Sequence, residues 1–350
     1  MAVMKTLSAP LSVCLGITNK CNLNCRHCLA ANTNQEPDLN KTEIFNIIRQ
    51  ILDLKIFNVA LFGGEPLMRD DFFEIVEALV KPWINLSLNT NGTLINKETA
   101  GRLSRYPIKI YTVSLDGSSP ETQDPLRGKG SFVKCIEGIK NLIAKKCKVL
   151  ISTTVTRYNW HDIENIAILG RKLGASKVRF NEVMYIGNAA CFDKVLVMTV
   201  KEKFALLENA RALRQEFGRF VTGSIIQILD IMDEIKRNQK EKFPIVVQPC
   251  GAAMSKCVIR PDGWVTPCET IWDLRAGSLR EEGFYGIWHN SSVMKAFRKT
   301  FEIKGDEIPE CKDCNYLRLC YKGHRCQPYY YPGRRFEHKE LYCWREDVVG

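Results

Sequence analysis

No apolar run in this chain approaches the ~20 residues that a helix needs to cross a bilayer, so a helical membrane protein is not expected. The opening Met1-Ala2-Val3-Met4-Lys5 lacks the apolar core of a secretory signal, and a cytoplasmic location follows as the expectation. No nucleic-acid-binding motif is present, and the Lys and Arg residues behind the net charge of +11 are spread along the chain. Nucleic acid and membrane are therefore not expected partners. The charge reads as a solvated basic surface or as an attraction for acidic partners. Cysteine is the residue in surplus, with 15 in 350 residues. Such a count means disulfides in a small secreted chain, but in one of this length without an export signal it points to metal ligands and a reducing environment. With 45% hydrophobic and 25% charged residues, the chain has the composition of a soluble enzyme holding a sizeable barrel and a smaller second domain.

The run Cys21-Asn22-Leu23-Asn24-Cys25-Arg26-His27-Cys28 follows a short apolar stretch that reads as a strand, Leu11 to Ile17. Three thiolates at this spacing supply three corners of a metal centre and leave the fourth open for chemistry. The alternative is zinc held by the three cysteines and His27, although His27 and Cys28 are covalent neighbours and seldom converge on one tetrahedral ion. The spacing resembles the signature of the radical S-adenosylmethionine (radical SAM) superfamily. That resemblance implies a 4Fe-4S cluster on Cys21, Cys25 and Cys28, the fourth iron chelated by the amino and carboxylate groups of SAM, and His27 packed beside SAM.

From residue 11 to 187, short apolar runs alternate with helical patterns, the strands ending near Thr18, Phe62, Asn89, Leu115, Val155 and Val183. Asn40 with Glu43 makes a capping-box-like start, after which Ile44, Ile47, Ile48, Ile51 and Leu52 recur on one helical face. Further helices are expected near residues 70–80, 131–146 and 161–173. Repeated βα units favour a parallel sheet, open or closed, with right-handed crossovers. The resemblance implies the partial (β/α)6 TIM-type barrel of radical SAM enzymes, an α/β fold.

Unusual residues gather at the C-terminal ends of the expected strands, where such barrels carry their chemistry. Gly63-Gly64-Glu65-Pro66 follows the second strand; the glycines let backbone come close to a ligand, and Glu65 can accept hydrogen bonds from an ammonium group. As a plain sequence it is also a serviceable strand-to-helix turn. It matches the GGEP motif of the family, which binds the SAM amino group. Asn89-Thr90-Asn91-Gly92 and Ser114-Leu115-Asp116-Gly117 end the third and fourth strands and resemble family segments that face SAM. Ser114 is the candidate contact there, while Asn89 and Asn91 also suit ordinary turns. Arg127 lies in what resembles the family loop after the fourth strand, placed to meet the SAM carboxylate, a substrate acid or solvent. Ile186-Gly187-Asn188-Ala189 resembles a Gly-Arg-Ala element with Asn in place of Arg, which removes the charged side chain.

Residues 188–249 carry no catalytic motif; helical stretches near 199–217 and 225–236 lead into the charged run from Lys236 to Lys242, a solvated helix end or linker. The final segment, 250–350, holds Cys250, Cys257, Cys268, Cys311, Cys314, Cys320, Cys326 and Cys343. Zinc knuckles would suit Cys311-x2-Cys314. The array also resembles the SPASM extension, a cysteine-rich auxiliary-cluster domain, with five residues instead of three before Cys326. By that analogy Cys250, Cys257, Cys268 and Cys326 hold one auxiliary cluster and Cys311, Cys314, Cys320 and Cys343 a second, for three 4Fe-4S clusters in all. Cys14, Cys135, Cys147 and Cys191 lie outside both arrays and read as small buried thiols.

The resemblance implies reductive cleavage of SAM to a 5'-deoxyadenosyl radical that abstracts a substrate hydrogen, with flavodoxin or ferredoxin as electron donor. A peptide or protein side chain is the favoured substrate, supported by twin auxiliary clusters and by Glu269 after Cys268, where sulfatase-maturating enzymes carry an Asp proposed as a base. About ten residues precede the first strand, too few for an N-terminal peptide-binding domain. Small-molecule or cofactor biosynthesis, in a haem, quinone or antibiotic pathway, is the alternative. A three-cluster electron carrier fits an open-corner cluster beside GGEP less well.

Overall fold

A computed structural model describes residues 6–31, 36–184, 186–191, 193–227, 229, 250–303 and 307–312. Strands β1 (Ser12–Thr18), β2 (Asn58–Gly63), β3 (Asn85–Thr90), β4 (Ile110–Ser114), β5 (Val149–Val155) and β6 (Lys177–Glu182) lie side by side, in chain order and parallel. Helices α1 (Lys41–Asp53), α2 (Phe72–Leu79), α3 (Lys97–Leu103), α4 (Pro120–Arg127), α5 (Ser131–Ala144) and α6 (Ile163–Leu173) connect them. This is the parallel βα sheet that the repeated units predict, in the partial barrel that the resemblance implies.

Period-two alternation sorts the strand residues onto two faces. Leu15, Leu61, Leu88, Val113, Ile151 and Phe180 belong to one continuous core that also takes in Ile44, Ile47, Ile48 and Ile51 of α1. The intervening Cys14, Ala60, Ser87, Thr112, Ser152 and Arg179 fall on the other, concave face. α1 begins where its cap dictates: Asn40 Oδ1 accepts from the Glu43 amide at 3.0 Å, and the Asn40 amide donates to Glu43 Oε2 at 2.8 Å.

The main departures from expectation are short elements. α3 and α4 lie outside the predicted helices, and Arg127 is the last residue of a helix instead of a loop residue. Residues 200–217 form the expected helix, capped by Thr199 and Glu202, and a seventh strand, β7 (Val221–Thr222), then pairs with β6. At the other edge β8 (Lys256–Ile259) lies parallel to β1, and β9 (Trp264–Thr266) and β10 (Gly277–Ser278) follow antiparallel. The C-terminal region thus continues the barrel sheet, giving, among the described residues, ten strands in the order β10-β9-β8-β1-β2-β3-β4-β5-β6-β7. Among the described residues no helix is long and apolar enough to cross a membrane.

Candidate functional site

The end of β1 is held before the cysteine loop starts. Thr18 Oγ1 donates to Asp38 Oδ2, and Asn19 Nδ2 donates to Asp38 Oδ1, both at 2.7 Å. From β2, the Gly64 amide donates to the Thr18 carbonyl at 2.7 Å and the Glu65 amide to the Lys20 carbonyl at 2.8 Å. A Cβ on Gly63 would collide with the Thr18 carbonyl oxygen, one on Gly64 with that of Lys20, and Gly63 also has φ 146°. The close approach these glycines permit is therefore to the chain's own backbone, and it fixes where Cys21 begins.

Along the loop Cys21 is exposed, Cys28 half-buried and Cys25 buried. The Cys28 amide donates to the Cys25 carbonyl at 3.2 Å and the Leu23 amide to Cys21 Sγ at 3.4 Å. Two side chains from other elements reach the sulfurs: Asn91 Nδ2 lies 3.9 Å from Cys21 Sγ and Arg127 Nη1 lies 3.8 Å from Cys25 Sγ. Burial pushes the Cys25 thiol up to about 11, while Arg127 pulls the other way. Donors aimed at sulfur suit thiolates bound to iron. Among the described residues no group of three His, Cys, Asp or Glu side chains is placed to hold a single metal ion.

Glu65 is fully buried, its Oε1 accepting from Thr90 Oγ1 and its Oε2 from the Asn91 amide, each at 2.7 Å. Burial pushes its carboxyl up to about 7, against the pull of these hydrogen bonds. Pro66 opens the 3-10 turn Pro66–Met68 that Glu65 caps. Asn91 also donates to Asn22 Oδ1 at 2.9 Å, stitching the β3 loop to the cysteine loop.

A buried charge cluster lies behind the loop. Asp116, wholly buried, meets Arg127 Nε at 2.5 Å and His27 Nε2 at 3.1 Å through Oδ2, while Oδ1 accepts from the Thr154 amide at 2.8 Å. Burial acts to raise the Asp116 carboxyl, but Arg127 and His27 hold it well below the ordinary carboxylate range. Arg127 Nη2 stands 3.4 Å from the same His27 nitrogen. Arg127 is thus committed to Asp116 and the cysteine loop, and His27 turns Nε2 to Asp116 while its Nδ1 is buried with no partner among the described residues. Ser114 ends β4 half-buried, and its carbonyl accepts from Cys135 Sγ at 3.4 Å.

The sequence does not signal the roles of Asp116, a neighbour of Ser114, or of Asn188, where the resemblance implies only the loss of a charge. The Asn188 backbone amide donates to the Cys28 carbonyl and its Nδ2 to the Cys25 carbonyl and Asn24 Oδ1, all at 2.9 Å. An amide side chain here clasps the loop backbone, a task that needs geometry and not charge.

In the C-terminal region Cys257 sits on β8 wholly buried and in register with Val13, Cys268 is buried, and Cys250 is exposed. Glu269 is half-buried, its Oε1 at 3.5 Å from Lys256 Nζ and its Oε2 accepting from Cys268 Sγ at 3.5 Å. Cys311 is half-buried; Cys314, Cys320, Cys326 and Cys343 lie outside the described residues.

Known proteins match this chain over most of its length. The family model of the Radical SAM superfamily matches residues 15–169, and that of the SPASM iron-sulfur cluster-binding domain matches residues 250–315. The chain is 29% identical to the mycofactocin maturase MftC of Mycobacterium ulcerans, over 91% of this chain and 83% of the relative. It is also 29% identical to the AdoMet-dependent heme synthase of Methanosarcina barkeri, over 96% of this chain and 97% of the relative. The crystal structure of Streptococcus suis SuiB bound to precursor peptide SuiA superposes with a TM-score of 0.76 at 17% identity, covering 97% of this chain and 76% of that one.

Proposed function

This chain belongs to the radical SAM superfamily and carries a SPASM iron-sulfur domain, and from that premise we propose that it modifies a side chain of a peptide or protein. We assign residues 11–187 to the radical SAM barrel, 188–249 to a helical linker region and 250–350 to the SPASM domain. Cys21, Cys25 and Cys28 would hold the first cluster, and the eight C-terminal cysteines two more. Cluster and SAM, when bound, would supply a one-electron reductive cleavage of SAM, with the electron from an external donor, and so the means to remove a substrate hydrogen atom. The protein's part is to bind, orient and exclude water. Glu65 receives the SAM ammonium group, for which a buried carboxylate without a cationic contact among the described residues is suited. His27, Asn91 and Ser114 would help to hold SAM. Arg127 holds Asp116 and shields Cys25. Glu269 takes a proton from the substrate, with Lys256 fixing its carboxylate. The basic surface suits an acidic flavodoxin or ferredoxin as electron donor.

The observation that carries the peptide reading is the sheet's edges: among the described residues these are β7 and β10, two residues each, and an extended chain can pair with such an edge beside the concave face. The end-to-end match to a heme synthase favours a second reading, a small-molecule substrate. Deuterated candidates from both classes, with label followed into 5'-deoxyadenosine by mass spectrometry, test the choice. Label arriving from a peptide supports the proposal, and label arriving only from a small metabolite overturns it. The anaerobically reconstituted protein should hold roughly twelve iron atoms. Replacing Cys21, Cys25 and Cys28 with Ala should remove about a third of them and all SAM cleavage.

A further inference from the structure

On β6, Val178 and Phe180 are buried in the helix-side core, which sends Arg179 between them to the concave face of the barrel. The register places Arg179 beside Ser152 of β5 and Thr222 of β7, and Ser152 in turn beside Ser114 of β4. One row thus crosses four adjacent strands as hydroxyl, hydroxyl, guanidinium, hydroxyl. With strands ~4.8 Å apart, hydroxyls flank the guanidinium within reach of one small anion.

The neighbouring carboxylates are committed elsewhere. Glu65 faces Thr90 and Asn91, Asp116 faces Arg127 and His27, Glu182 pairs with Lys203 at 2.6 Å, and Glu269 pairs with Lys256. Arg179 itself is half-buried with no ion pair among the described residues, and burial alone lowers its affinity for the proton. A charge withdrawn from water without a counter-ion is a standing cost unless a ligand brings the opposite charge. A guanidinium fork matches a carboxylate with two parallel hydrogen bonds. The contacts proposed for SAM, Glu65 after β2, Asn91 after β3 and Ser114 on β4, all lie two or more strands from Arg179, so the SAM carboxylate is not the natural occupant.

We propose that Arg179, flanked by Ser152 and Thr222, is a carboxylate-binding subsite on the concave face, so that the substrate of this enzyme carries an acid group which Arg179 anchors. The inference rests on the radical SAM reading and narrows it to acidic substrates, whether the acid belongs to a peptide or to a small molecule.

The test uses the full-length, cluster-loaded protein with SAM and two matched probe pairs. One is a capped pentapeptide with a central Glu against the same peptide with Gln; the other is 3-phenylpropionate against its amide. Calorimetric titration at pH 7 should show the acid of one pair binding tenfold or more tighter than its amide, and the responding pair identifies the source of the acid. Arg179→Gln should cancel that preference by weakening only the acid, and Arg179→Lys should restore part of it. No acid preference in the wild-type protein, or a preference that survives Arg179→Gln, overturns the subsite. Substrate-free 5'-deoxyadenosine formation by the wild-type protein is measured separately. A protein that cleaves SAM but ignores the acid refutes the subsite alone, whereas one that never cleaves SAM refutes the reading beneath it.

Discussion

Asn188 donates from Nδ2 to the carbonyl of Cys25 at 2.9 Å, joining the segment after the sixth strand to the loop after the first across 163 positions of sequence. The same nitrogen reaches Asn24, so one side chain sets the path of the loop at its middle thiol. Asn188→Ala should cost about 2 kcal/mol of local stability, from two lost hydrogen bonds at roughly 1 kcal/mol each. Iron retained on the first cluster during gel filtration should fall, and SAM cleavage with it. Equal iron and equal turnover would show that the clasp is dispensable.

The proposed pairing of Glu65 with SAM predicts a binding that depends on pH. Its carboxyl is raised to about 7 in the folded protein, above its unfolded value, so the folded state holds the proton more tightly. Stability of the SAM-free protein should therefore fall as pH rises from 5 to 8, by up to roughly 3 kcal/mol. SAM binding should tighten over the same window, because ionised Glu65 is the form that pairs with an ammonium group. Glu65→Gln should flatten both profiles, read by thermal melting and by SAM titration.

Asp116 and Arg127 form a buried pair, and breaking one side leaves the other charged and alone. Asp116→Asn or Arg127→Met should each lower stability by about 3–5 kcal/mol. The double variant Asp116→Asn/Arg127→Met should lose less than the sum of the two. Urea unfolding of the three proteins measures this, and simple additivity would mean that the two groups act independently.

Glu269→Gln tests the proposed base. Product formation should slow at least tenfold, while 5'-deoxyadenosine released without product stays measurable. Unchanged product formation would reduce Glu269 to the partner of Lys256.

Much of the barrel was legible because its signals are local. β1 and α1 follow from alternation and from a cap that Asn40 and Glu43 write within four residues, and the strands end within a residue of where polar and glycine residues begin. The cysteine spacing and Gly63-Gly64-Glu65 were equally local. The residues that hold the site in shape were not. Arg127 meets Cys25 from 102 positions away, and nothing near it in sequence says that its partner is Asp116 rather than a ligand. β7 and β10 were missed because two residues carry no period, and they exist only through pairing with neighbours.

β1 has a hydrogen-bonded neighbour on each side, β2 from the next unit and β8 from far along the chain. During synthesis the first of these arrives early, but most of the polypeptide must be made before the second. Until then the strand that delivers Cys21 presents an open row of amides and carbonyls, the kind of edge that recruits other chains. A fragment ending before β8 would keep that edge permanently, and should aggregate even with every residue of the cysteine loop intact. The cysteine loop follows the first strand of the sheet, yet that strand gains its second neighbour only when β8 is made.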